Sequence, residues 1–116
     1  MKKLFVSQPM NGRTDEEILA ERLAAVETVK EILKTDGVDE EVELIDSFFQ
    51  SAPHDASPVW FLGKSIQLLA SADIVYFCTG WQDARGCRIE HACAEEYEMD
   101  YIEYVPDEYD EEYDEE

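Results

Sequence analysis

Apolar positions along the chain switch between two spacings, and the switches mark out the elements. Residues 3–7 form a short apolar run that reads as a first strand and leads into the polar loop Gln8-Pro9-Met10-Asn11-Gly12-Arg13. Thr14-Asp15-Glu16-Glu17 has the form of a capping box, with Thr14 as N-cap and Glu17 reaching back to it. Ile18, Leu19, Leu23, Val26, Val29 and Leu33 then keep helical spacing until Gly37 ends the helix. Residues 42–46 read as a second short strand, and 47–57 as a polar loop containing Pro53 and His54. Ser57-Pro58 opens another helix with proline at its preferred first position, running to about residue 71. Residues 73–78 are almost continuously apolar, the pattern of a strand covered on both faces. A third helix is expected over about 86–98 and a last strand over 101–105.

The order β-α-β-α-β-α-β predicts an α/β fold in three layers: a mostly parallel sheet of four to five strands with helices on both faces. Pro106 ends that order, giving one domain over residues 1–106. Residues 107–116, DEYDEEYDEE, read as a disordered acidic tail.

Composition sharpens this picture in two places. The formal net charge is −20, and removing the last ten residues still leaves 21 acids against nine bases. An acidic body of this kind excludes a nucleic-acid backbone as partner, and an anionic ligand would need a local cationic pocket. No apolar run approaches the ~18 residues that span a bilayer, so no membrane role is expected. Three cysteines, Cys78, Cys87 and Cys93, without framework spacing fit a reducing, cytoplasmic setting rather than a disulfide scaffold.

The candidate chemistry gathers around the third helix. Arg85 and Arg88 lie at its start, where free N–H groups and the helix dipole suit an anion. In open α/β sheets ligands bind outside the carboxyl ends of the strands, where this loop would lie. Glu90 falls in the first or second turn, where the dipole favours its ionised form. It is either a surface acid or a carboxylate able to attack an electrophilic carbon, as glycosidase carboxylates do at an anomeric centre. Asp83 could position a ligand hydroxyl, donate a proton, or remain a solvated loop acid, while Asp73 opens its strand and reads as structural. Arg13, Arg85 and Arg88 either clamp a phosphate or pair with neighbouring acids; Arg22, Lys30 and Lys34 are set aside because they sit along a helix. Trp81 and Phe48-Phe49 either stack on a base or sugar or pack. Cys87 and His91 share a helical face, but two ligands do not make a metal site, and no cofactor is expected. Neither GxGxxG nor GxxxxGK[ST] is present, which removes dinucleotide and P-loop readings.

Ser7-Gln8-Pro9-Met10-Asn11-Gly12, together with Ala72-Asp73-Ile74-Val75, Gly80-Trp81, Ala84-Arg85-Gly86-Cys87 and Ile89-Glu90-His91-Ala92, resembles the small proteins related to nucleoside 2-deoxyribosyltransferases. The resemblance covers roughly residues 3–105 and implies a compact flavodoxin-like sandwich. In the transferases a glycine four residues before a glutamate and an alanine four after it frame the nucleophile, here Gly86, Glu90 and Ala94. The resemblance therefore implies that Glu90 attacks C1′ of a 2′-deoxynucleoside and displaces the base. A second base, or water, then resolves the intermediate. By analogy with related hydrolases of 5′-monophosphates, Ser7, Asn11, Gly12 and Arg13 would hold the phosphate, with Arg85 close by. Gln8, Trp81 and Gly86 complete the implied substrate-binding set, and Asp83 is the catalytic acid nearest to Ala84, where the transferases commonly carry one. A small-molecule nucleoside or nucleotide is the implied partner. A homo-oligomer is implied as well, because such proteins often complete their sites with a neighbouring subunit. Binding of a nucleotide without turnover is the alternative function.

Overall fold

A computed structural model describes residues 1–47 and 55–104. Phe48 and Phe49, the loop as far as His54, the end of the last strand at residue 105 and the acidic tail lie outside the described residues.

Four strands, β1 (Lys2–Ser7), β2 (Val42–Leu44), β3 (Ile74–Phe77) and β4 (Tyr101–Glu103), alternate with three helices, α1 (Asp15–Thr35), α2 (Pro58–Leu69) and α3 (Arg85–Glu96). The strands form one sheet in the order β2-β1-β3-β4, parallel at every pairing. The chain thus leaves β1 toward one side of the sheet and returns to place β3 on the other. This reversal makes the carboxyl ends of β1 and β3 the topological switch point.

Alternation along the strands separates two cores. Leu4, Val6, Ile74, Tyr76 and Cys78 point toward α1, where Ala25, Val29 and Leu33 meet them. Phe5, Val75 and Phe77 point the other way, onto Leu69 of α2 and Ala94 of α3. The sheet therefore lies between α1 on one face and the α2–α3 pair on the other, which is the expected three-layer α/β architecture.

Local signals act as the sequence predicts. Thr14 accepts from the Glu17 N–H while the Glu17 side chain accepts from the Thr14 N–H, closing the capping box. Ser57 caps α2 by accepting from the Trp60 N–H, with Pro58 just inside. At the end of α1, Gly37 takes a φ of +80° and Val38 N–H reaches back to the Leu33 carbonyl at 2.8 Å, the arrangement that closes a helix on a left-handed residue. The same closure ends α3, with Met99 N–H on the Ala94 carbonyl, although the left-handed residue there is Glu98.

Two expectations change. The second strand is shorter than residues 42–46, spanning only Val42–Leu44. More consequentially, α1 is rotated about its axis relative to the stripe read from its leucines. Its buried residues are Ile18, Arg22, Ala25, Val29 and Leu33, while Leu19 and Leu23 are 44% and 64% exposed. An arginine thus occupies a core-facing position that its charge made easy to discard.

Candidate active-site cleft

The loops leaving the carboxyl ends of β1 and β3, together with the first turns of α2 and α3, enclose a cleft of about 840 Å³. Its walls are largely apolar, and its polar wall is made by Gln8, Ser65, Cys87 and Glu90 with Asp83 and Arg85 nearby. Volume and composition are those of a small-molecule site.

Glu90 lies in the second turn of α3, on the stripe Cys87–Glu90–Ala94 that faces the sheet, and is only 7% exposed. Ser7, the last residue of β1, points to the same side by strand alternation. Its hydroxyl donates to Glu90 Oε1 at 2.6 Å. Ser65 of α2 lines the cleft with Glu90, and its hydroxyl favours the ionised form of the same carboxylate. Three elements therefore converge on one acid. The helix-dipole argument predicts a carboxylate that ionises easily, but burial dominates here and pushes the Glu90 pKa up. The serine hydroxyls, and the charge of Arg22, pull it partly back. Cys87, one turn earlier, is pushed up to about 11 chiefly by burial, so it stands beside Glu90 as a neutral thiol.

The loop after β1 is held from inside. Gln8 is buried, and its amide nitrogen donates to the Ile18 carbonyl at 3.2 Å and to Glu21 Oε1 at 2.8 Å. Its oxygen accepts from Arg22 Nε. Arg13 donates to Glu21 Oε1 at 2.6 Å and to the Pro9 carbonyl at 3.0 Å. Gly12 turns the chain with φ +77°, and the Arg13 N–H closes that turn on the Met10 carbonyl. At the opposite wall, Ala84 begins α3 without a side-chain cap, leaving Ala84, Arg85 and Gly86 along the cleft.

The candidate residues accordingly divide. Ser7, Gln8 and Glu90 are brought together, and Asn11, Asp83, Arg85 and Gly86 line the same cleft. Arg13 is engaged with Glu21, and Gly12 shapes the turn; neither lines the cleft. Arg88 donates to the Gln82 carbonyl, bracing the 3-10 turn Trp81–Asp83. Trp81 stacks on His91, with ring centres 4.1 Å apart and planes 15° from parallel, in a cluster with Phe77 and Tyr101 outside the cleft lining. His91 Nε2 meets Glu103 there, so Cys87 and His91 serve different surroundings despite their helical spacing. Asp73 sits at the far edge of the sheet, accepting from the Lys3 N–H at 2.8 Å. Among the described residues, no group of three or more His, Cys, Asp or Glu is gathered as a metal shell.

Sequence reasoning missed Ser65 and Arg22. Nothing near Ser65 marks it. Arg22 carried a signal, since it falls in register with Ile18, Ala25, Val29 and Leu33.

No protein-family model matches the chain, and no curated protein matches it.

Proposed function

We propose that this protein cleaves or transfers at the N-glycosidic bond of a 2′-deoxynucleoside or its 5′-monophosphate, with Glu90 as nucleophile. The observation that carries the reading is the Glu90 carboxylate, buried at the switch point of a parallel sheet and held by Ser7 in the lining of a small-molecule cleft. A surface acid needs no such support, whereas a nucleophile must be held in one geometry and shielded from water. In the reaction, a Glu90 oxygen bonds to C1′ as the C1′–N bond breaks and the base leaves with a proton. Asp83, which lines the cleft, is our candidate for the acid that supplies it. Water or a second base then attacks C1′ and releases Glu90. Arg85 and the uncapped start of α3 favour a ligand carrying a phosphate.

A homo-oligomer accompanies this reading. Met10, Val59, Phe61 and Ile89 are exposed apolar residues around the cleft, a rim that a second copy would cover. Light scattering of the purified chain measures it.

The second reading is a nucleotide-binding protein without turnover, in which the buried Glu90 side chain helps hold a ligand rather than attacking it. One experiment separates the two. The protein is incubated with each 2′-deoxynucleoside and its 5′-monophosphate, and free base is followed by chromatography. Release that disappears in Glu90→Gln supports the nucleophile; release that persists removes it. Tight binding with no release from any substrate supports the sensor.

A further inference from the structure

We propose that Arg22 is a positioning residue for the cleft: its buried guanidinium fixes the Gln8 side chain at the exit of β1 and supplies a permanent positive charge within electrostatic reach of Glu90. The proposal deepens the reading of Glu90 as the reactive carboxylate and rests on it only for the consequence, not for the geometry.

Arg22 is 2% exposed, on the α1 face of the sheet. A buried cation is costly unless its charge and its N–H groups are answered. Its Nε–H donates to Gln8 Oε1, and that bond decides which way the amide lies. With its oxygen turned to Arg22, Gln8 must present its nitrogen to the Ile18 carbonyl and to Glu21. Glu21 in turn holds Arg13, and Arg13 holds the Pro9 carbonyl. One buried cation thus begins a chain of contacts that ends on the loop forming the cleft wall. Gln8 lines the cleft, yet both ends of its amide are engaged inward, so its part there is to shape the wall.

The charge acts separately from the hydrogen bonds. Arg22 couples electrostatically to Asp46 beyond β2 and to Glu90 on α3. The groups that act on the Glu90 charge are Ser7 from β1, Ser65 from α2 and, across the sheet, Arg22 from α1, which holds Gln8 beside Ser7; Cys87 lies one turn away on α3. The two serines are neutral and the Cys87 thiol is neutral, so Arg22 is the cation among them. Glutamine or methionine at position 22 would leave Glu90 desolvated with only the serines to favour its ionised form.

The test is a carbon-13 titration of the Glu90 side-chain carboxyl in the full-length protein, its resonance assigned by loss in Glu90→Gln. It reads the acid whether or not any base is released, so failure of the glycosidic reading leaves it intact. Arg22→Met and Arg22→Gln are expected to move the midpoint to higher pH, and Arg22→Lys to restore it most of the way. Neutral variants that stay folded and leave the midpoint unchanged overturn the electrostatic role. Gln8→Ala keeps the cation and tests the tether even if the neutral variants do not fold. Hydrogen exchange at the Arg13 amide, which closes the loop turn, should quicken at least severalfold in that variant. Unchanged exchange overturns the positioning role.

Discussion

At one edge of the sheet every described helix is turned into the next strand within four to six residues; at the other, β1, β2 and β3 each leave through a connection of seven to thirteen. The short edge is made of closures. Gly37 and Glu98 end helices in left-handed conformations, and Asp73 ties the start of β3 to the Lys3 N–H. The long edge contains the cleft and a carboxylate whose burial works against its charge. Asp73 and Glu90 are both acids beside β1, yet one is exposed and satisfies backbone while the other is buried and satisfied by side chains. Groups that lower the energy of the fold collect where the chain must turn tightly, and groups held at a cost collect where the loops leave room for a ligand.

That contrast can be broken most directly at Glu90. Glu90→Ala is expected to reduce base release by about a thousandfold or more, measured by single-turnover chromatography. Ser7→Ala should cost about tenfold in kcat/KM, the value of one hydrogen bond to a charged group. Because the Ser7 hydroxyl lowers the Glu90 pKa, its loss should also move the acid limb of the pH–rate profile upward.

The same acid should have the opposite effect on stability. Its pKa is raised in the folded state, so the folded protein binds the proton more tightly than the unfolded chain. The stability that this one group contributes is therefore fully present below the ordinary carboxyl range and is lost as pH rises through the raised value. Glu90→Gln should gain about 1 kcal/mol in denaturant unfolding at pH 7 and lose that advantage in acid.

At the closing edge the two residues act in opposite senses. Asp73→Ala should lose about 0.5–1 kcal/mol with turnover untouched. Glu98→Gly should gain about 0.5 kcal/mol in thermal unfolding, since glycine takes the left-handed conformation without the strain of a side chain.

How legible each edge was in the sequence follows from the same contrast. The closures rest on neighbours in sequence: Thr14 with Glu17, Ser57 with Pro58, and Gly37 after an apolar run. Such signals act over a few residues and can be read directly. The site is assembled from Ser7, Ser65 and Glu90, on three elements whose meeting depends on the layer order. Spacing alone left Glu90 open between surface acid and nucleophile, and the dipole argument gave its pKa shift the wrong sign because burial was invisible. Arg22 was passed over for a related reason. The leucines at 19 and 23 gave α1 an apolar face that the folded helix turns outward. Small Ala25 and the Gln8–Arg22 bond belong to the face that was buried instead.

Cys87 offers a consequence of its own. A thiol held near a pKa of about 11 within the cleft wall scarcely meets an alkylating reagent until α3 lifts from the sheet and the sulfur reaches water. Its labelling rate under native conditions is then a clock for that opening. A ligand that bridges α3 to the loop after β1 would slow the clock, whatever chemistry follows.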